Sequence, residues 1–214
     1  MFRAVMLTQW KWTRTVLLLA TVVAFAMPLA SLKNAAGAFN ATMFVMSMQQ
    51  LAGGYALLAA AIGLLVALAA WQPDHQGRHV YALSLPVSRA SYAAMRFGAG
   101  ALFLLLPVIG LLIGALVVAA SDAIPEGLHA YPLALTLRFA LASAVSFAVF
   151  FAIASSTPKT AGVVLGLIAG LFLAQYVLDL VGSQVNVLDP TFNFLFVKPG
   201  VFSVFAGRWM LVDV

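Results

Sequence analysis

Five long apolar stretches dominate the chain and limit what it can fold into. They cover residues 15–32, 45–71, 97–120, 133–154 and 161–181. A helix needs about 20 apolar residues to cross about 30 Å of hydrocarbon, and backbone groups in lipid must be hydrogen-bonded internally. The sequence therefore predicts an all-α fold, a polytopic transmembrane helix bundle with five clear spans and a possible incomplete sixth.

The composition agrees with a membrane protein. Of the 214 residues, 64% are hydrophobic and 8% are charged, and the mean hydropathy is +1.07. A soluble domain of this length could not bury so much apolar surface. We assign the net charge of +5 to cations at an anionic membrane surface. The lipid bilayer is therefore an expected partner, and nucleic acid is not.

The chain shows no linker, repeat or low-complexity tract, which predicts a single transmembrane domain over residues 1–214. Residues 1–14 suit an interfacial helix, although an ordinary basic flank is an equal alternative. Residues 72–96 form a polar loop. We expect residues 182–214 to form an outer re-entrant or interfacial segment.

The distribution of cations predicts the orientation. With a cytoplasmic N-terminus, seven Lys and Arg side chains lie inside and four lie outside, as the positive-inside rule requires. The inner seven are Arg3, Lys11, Arg14, Arg78, Arg89, Arg96 and Lys159. We expect a multi-pass protein of the plasma or inner membrane. A cleaved signal peptide is a rival interpretation of the first span, and it leaves the other spans in the same orientation.

The polar loop contains most of the local signals. Pro86 lacks an amide donor and disfavours helix at Leu85, which predicts a break there. Ser88 is the expected N-cap of a helix that runs through Arg89 into the third span. Residues 77–83 could form a short helix parallel to the membrane.

This arrangement resembles the permeases of the ABC-2 family, the membrane subunits of ABC exporters. The matching features are a Gln-Gly pair before a short coupling helix and a Leu-Pro-x-Ser-Arg signature before the third span. The residues to which the resemblance gives a role in coupling to an ATPase are Gln76, Gly77, Arg78, Leu83, Leu85, Pro86, Ser88 and Arg89.

The resemblance implies an ABC ATPase subunit as partner and a second permease copy or a paralogue. The coupling helix would dock on that ATPase and transmit its nucleotide-driven movement. The chain contains no GxxxxGK[ST] phosphate loop, so ATP and Mg²⁺ would belong to the partner and this chain would hold no cofactor and would not be an enzyme. Family members usually have six spans. Here a sixth would only begin near residues 208–214, which indicates either a truncated product or a five-span variant.

Small and polar residues inside the spans give two further expectations. Glycine recurs at every fourth position in two spans, a pattern typical of close helix packing. The third span has Gly110 and Gly114, and the fifth has Gly162, Gly166 and Gly170. Polar residues are scarce at membrane depth, so four of them are candidates for a translocation path. These are Gln49, Gln50, Gln175 and Asp179.

Other functional classes fit the sequence less well. Asp74, His75 and His79 form a DHxxxH pattern, and the two histidines could share one helical face and bind a metal. The pattern has no intervening general-base Glu, and no clear third ligand is present beyond Asp74. A solvated loop face is the simpler interpretation, and we expect no metal. A secondary transporter would show charged residues near the midplane. A non-catalytic scaffold or sensor subunit of a larger complex is the main alternative function.

Overall fold

The computed structural model describes residues 2–35, 37, 38, 40–50, 52–76, 87–121, 123–156, 158–182, 185–196, 200, 202–207 and 209–213. Its helices are α1 (Phe2–Ala35), α2 (Ala41–Gln50), α3 (Ala52–Gln76), α4 (Arg89–Phe103), α5 (Leu105–Ala119), α6 (Pro132–Ala154), α7 (Pro158–Leu180) and α8 (Leu188–Phe196). The described residues also include a 3-10 turn at Ser203–Phe205 and two short strands, β1 (His129–Ala130) and β2 (Val212–Asp213).

Five segments of the described chain are long and apolar enough to cross a membrane. They are Phe2–Ala35, Ala41–Asp74, Arg89–Ala119, Pro132–Ala154 and Gly162–Leu180. Each overlaps one of the five stretches that hydrophobicity marked out. The predicted all-α transmembrane architecture with five spans is therefore confirmed.

The described residues group into two compact units, where the sequence analysis proposed a single domain. Unit 1 comprises Met1–Phe151 together with Arg208–Val214, and unit 2 comprises Ala152–Gly207. Unit 1 contains α1 to α5, most of α6 and both strands, whereas unit 2 contains α7 and α8.

Helix α1 is longer than its predicted span. The sequence analysis separated residues 1–14, as an interfacial helix, from the span at 15–32, but the structure joins them in one helix of 34 residues. One stripe explains this continuity, because residues at helical spacing are buried from Val5 through Leu17 to Ala35. At 1.5 Å per residue α1 is about 51 Å long, which exceeds the hydrocarbon thickness of about 30 Å.

The third span is interrupted between α4 and α5, a short distance before Pro107. Helix α4 ends at Phe103 and α5 begins at Leu105, with Leu104 between them in right-handed helical conformation. Pro107 follows Leu104 by three residues. A proline has no amide hydrogen to donate, and its ring crowds the carbonyl four residues earlier, here that of Phe103. The span therefore contains a defined interruption rather than one straight helix.

Glycines allow α1 and α5 to approach closely. A Cβ atom at Gly110 would lie 2.8 Å from the carbonyl oxygen of Thr21, and one at Gly114 would collide with the carbonyl oxygen of Phe25. The two glycines are four residues apart on α5, and Thr21 and Phe25 are four residues apart on α1. Both contacts therefore lie on one face of each helix. Only a residue without a side chain lets the two backbones meet at this distance.

The end of unit 1 formed by the 121–131 connection carries the two short strands. Strands β1 and β2 pair antiparallel, with His129 opposite Asp213 and Ala130 opposite Val212. The guanidinium of Arg138 lies 4.9 Å from the ring centroid of Trp209. Within residues 208–214, where a sixth span was expected to begin, Val212 and Asp213 therefore form a strand that pairs with β1.

We expect Gly114→Val to lower the free energy of unfolding by about 1–3 kcal/mol, because the carbonyl of Phe25 is backbone and cannot move aside. Gly53→Val is the matched control, since a Cβ there has no neighbour within 4 Å. Thermal unfolding of the detergent-solubilised protein measures both. Equal melting temperatures for the two variants would contradict the close packing of α1 on α5.

Candidate functional site

Three polar side chains meet where α3 ends and α4 begins. Asp74 is 1% exposed, Arg96 is 3% exposed and Tyr92 is 4% exposed. Arg96 Nη2 lies 3.1 Å from Asp74 Oδ2, which makes the pair a buried salt bridge. Together with Trp71, these residues are called the stem cluster below.

Tyr92 connects the two charges. Its hydroxyl donates to Asp74 Oδ1 and Oδ2 at 3.1 and 3.2 Å and accepts from Arg96 Nε at 2.8 Å and Nη2 at 2.5 Å. Tyr92 and Arg96 are four residues apart on α4, so they share one helix face and both reach α3. The remaining guanidinium nitrogen, Nη1, donates to the carbonyl of Ala70.

Aromatic rings surround the guanidinium group. Arg96 Cζ lies 5.7 Å from the Trp71 ring centroid and 5.0 Å from that of Tyr92, within the range of cation–π attraction. The Trp71 ring packs on Phe151 of α6 at a centroid distance of 5.2 Å, and Phe151 in turn contacts Phe97. This apolar wall excludes water and strengthens every charge interaction inside it.

The stem cluster fixes the distance between the ends of α3 and α4. A buried charge without its partner is strongly destabilising, so Asp74 and Arg96 must stay together as long as the site stays dry. The ten residues 77–86, called the elbow segment below, therefore connect two helices that the stem cluster joins to each other.

The predicted coupling residues divide between the described helices and the elbow segment. Ser88 is the N-cap of α4, because its side chain accepts a hydrogen bond of 3.2 Å from the amide of Ser91, and this prediction is confirmed. Arg89 is exposed in the first turn of α4, and Gln76 is the last residue of α3. The other predicted residues lie outside the described part of the chain. They are Gly77, Arg78, Leu83, Leu85 and Pro86.

The boundaries of the polar loop differ from those that the sequence analysis gave. The predicted loop spans 72–96, but α3 continues to Gln76. The start of α4 at Arg89 agrees with the helix that was predicted to follow Ser88. Pro73 lies inside α3 and does not end it. The helices continue because Asp74, Tyr92 and Arg96 bury one another and so stabilise the helical turns that carry them.

The alternative metal site does not form among the described residues. No group of three His, Cys, Asp or Glu side chains there could hold a metal ion. Asp74 is occupied by Arg96 and Tyr92, and it faces the interior of unit 1. The side chain of His75 and all of His79 lie outside the described residues.

The polar residues proposed for a translocation path have local partners. In unit 1, Gln49 Nε2 lies 3.8 Å from the sulfur of Met210, and the side chain of Gln50 lies outside the described residues. In unit 2, Gln175 donates to Asp179 Oδ1 at 2.8 Å and accepts from the amide of Val187 at 2.8 Å. Gln175 and Asp179 thus join the end of α7 to the start of α8, and a role in translocation stays a prediction.

The glycines of α7 differ from those of α5. Within unit 2, a Cβ atom at Gly162, Gly166 or Gly170 would have no neighbour within 4 Å. Their spacing places them on one face of α7, and at these three positions that face is open among the described residues. Their predicted part in helix packing therefore stays a prediction, and it would need a surface outside unit 2.

The fold defines a multi-pass helical membrane protein whose most polar buried site lies at the end of its second span. Comparison of the chain with protein-family models, with curated proteins and with solved structures finds no match. Function must therefore be argued from the stem cluster and from the sequence around it.

We expect Arg96→Met to lower the free energy of unfolding by about 3–5 kcal/mol, because it leaves the carboxylate of Asp74 buried without a counter-charge. Arg96→Met combined with Asp74→Asn should recover part of that loss, since no net charge is then buried. Arg89→Met is the control and should not lower stability, because Arg89 is exposed and has no buried counter-charge to leave behind. Thermal unfolding in detergent compares the variants, and additive effects of the two mutations would contradict a direct pair.

Proposed function

We propose that this chain is the membrane-spanning permease subunit of an ATP-driven exporter of the ABC-2 type. A separate ATPase subunit supplies the energy, and a second permease copy or a paralogue completes the transporter. The sequence signature around Pro86 suggests the class. The observation that carries the mechanism is the stem cluster, which joins the two helices on either side of the elbow segment to each other.

The stem cluster makes the elbow segment suitable for transmitting force. A loop whose ends could separate would deform when pushed, and the movement would not reach the spans. Here the ends of α3 and α4 are joined by a salt bridge of 3.1 Å and by Tyr92. Displacement of the elbow segment would therefore move both helices together, and packed helices respond to such displacement by shifting between discrete arrangements.

Arg89 fits a docking role better than a structural one. The amino-terminal end of a helix carries a partial positive charge, so a cation in the first turn of α4 is disfavoured by roughly 0.3–1 kcal/mol. Arg89 is exposed and its first turn contains no acidic residue. An acidic surface on the ATPase would compensate this cost and would position the elbow segment.

The orientation follows from the cations at the ends of the helices. We place the N-terminus and the elbow segment in the cytoplasm, where Arg3, Lys11, Arg14 and Arg89 face the anionic leaflet of the plasma or inner membrane. ATP and Mg²⁺ then stay on the partner subunit, on the same side of the membrane as the elbow segment. Glycines 162, 166 and 170 of α7 offer a surface for the second permease copy.

Association with the ATPase tests the docking role. We expect Arg89→Glu combined with Leu83→Asp to reduce recovery of the co-expressed ATPase in a pull-down at least tenfold, because like charges would then face each other. Lys33→Glu is the matched charge reversal, since Lys33 is exposed in the last turn of α1. Undiminished recovery with the elbow variant would exclude the docking role and would favour a scaffold or sensor subunit.

Orientation has its own test, because the chain contains no cysteine. We expect Arg89→Cys in intact cells to resist a membrane-impermeant maleimide and Lys33→Cys to react with it, since the two positions should face opposite sides. Inverted vesicles should exchange the two results. Reaction of Arg89→Cys from the outside would refute the cytoplasmic position of the elbow segment.

A further inference from the structure

Two buried side chains in unit 1 have polar atoms without a partner. Gln9 of α1 is 1% exposed, and neither its Oε1 nor its Nε2 has a hydrogen-bond partner in the described part of the chain. Nε1 of Trp71, in the stem cluster, is in the same situation. Buried polar atoms nearly always have a partner, so these three atoms require an explanation.

Their neighbours show that the region normally satisfies its polar groups. Thr13, one turn further along α1, donates to the carbonyl of Gln9 at 2.8 Å. Ser146 of α6 donates to the carbonyl of Ala60 in α3 at 2.7 Å. The missing partners of Gln9 and Trp71 are therefore specific to these two side chains.

Gln9 lies next to the stem cluster. Its Nε2 is 3.1 Å from the point where a Cβ of Gly100 would stand, and the ring of Phe147 fills the rest of that space. Gly100 follows Arg96 by four residues on α4, which corresponds to about one helical turn, or about 6 Å along the helix axis. Gln9 thus meets α4 one turn beyond Arg96, on the helix face that also carries the salt bridge to Asp74.

The hydrogen-bonding groups of these unpartnered side chains limit what could bind there. The carboxamide offers one acceptor and two donor hydrogens, and the indole offers one donor. The charges of Asp74 and Arg96 neutralise each other, so a charged ligand beside Gln9 would meet no counter-charge. A ligand that fits is small and neutral and both donates and accepts hydrogen bonds, and water is the simplest such molecule.

We propose that the carboxamide of Gln9 lines an internal site for water, or for a neutral polar group of the same hydrogen-bonding character, and that the Asp74–Arg96 salt bridge controls access to it. In the structure Gln9 of α1 lies between Gly100 of α4 and the ring of Phe147 of α6, and the polar atoms of Gln9 lack partners. When the salt bridge opens, water reaches Gln9 and supplies the missing hydrogen bonds. This inference concerns the chain alone and does not depend on the proposed ATPase partner.

Thiol labelling tests the proposal, because a cysteine reacts with maleimide as the thiolate, which forms only where water reaches it. The probe is N-ethylmaleimide, which crosses membranes, so the result does not depend on orientation. Gln9→Cys is measured in the otherwise unchanged chain and together with Asp74→Asn, which removes the charge but keeps the size of the side chain. Thr13→Cys, at a position that is also fully buried on the same face of α1, is the matched control.

We expect Asp74→Asn to raise the labelling rate of Gln9→Cys at least tenfold and to leave that of Thr13→Cys unchanged. An equal rise at both positions would indicate general loosening and would overturn the proposal. Equal labelling rates for Gln9→Cys with and without Asp74→Asn would show that the salt bridge does not control access, and would overturn the proposal.

Thermal stability gives a second and independent measurement. We expect Gln9→Met to raise the melting temperature by a few degrees, because methionine has a similar volume and leaves no polar atom unsatisfied. Thr13→Val is the control and should not stabilise, since Thr13 already has its hydrogen bond. A lower melting temperature for Gln9→Met would show that the carboxamide has partners in the resting protein and would overturn the proposal.

Discussion

The attraction between Asp74 and Arg96 in a nearly water-free site determines how the ends of α3 and α4 are arranged. Each charge alone would be costly to bury, and each is stabilised because the other lies 3.1 Å away. Tyr92 satisfies both partners, and the carbonyl of Ala70 accepts a third bond from the guanidinium. Opening the pair would therefore require water to reach both charges.

Packing elsewhere in unit 1 differs in character and supports this site. Along α1 and α5 the contact is between backbones, because Gly110 and Gly114 carry no side chain to separate them. Around the stem cluster the contact is between aromatic rings, among them Phe97, Phe147 and Phe151, at centroid distances of 5.2 to 5.4 Å. Backbone contact leaves little room for adjustment, whereas rings can slide past one another.

The sequence predicted the features that depend on local pattern. Hydrophobic length identified the five spans, since lipid requires helices there, and the residue types after Pro86 identified Ser88 as an N-cap. The pairing of Asp74 with Arg96 was missed, although both residues were noted, because the choice of partner for a charge depends on tertiary structure. Two opposite charges next to aromatic residues at the ends of adjacent spans were the available signal.

Other features gave no readable signal. Strands of two residues are too short for a periodicity, so the pairing of β1 with β2 could not be anticipated from residues 129–130 and 212–213. The buried face of α1 was obscured for a similar reason. The buried residues of α1 include the polar Gln9 and Thr13. Because Arg3, Lys11 and Arg14 lie close to them in the sequence, this part of the chain has the pattern of a helix at the membrane surface. Only the packing of the neighbouring helices shows that Gln9 and Thr13 are buried.

The antiparallel pairing of β1 with β2 also affects biosynthesis. The strands are separated by more than eighty residues, and all of unit 2 lies between them in the chain. A nascent chain is released from the ribosome in order from its N-terminus, so β1 emerges long before its partner exists. Unit 1 must therefore wait, with one end uncovered, until α7 and α8 have been synthesised. During that interval the backbone groups of β1 are open to a chaperone or to the insertion machinery.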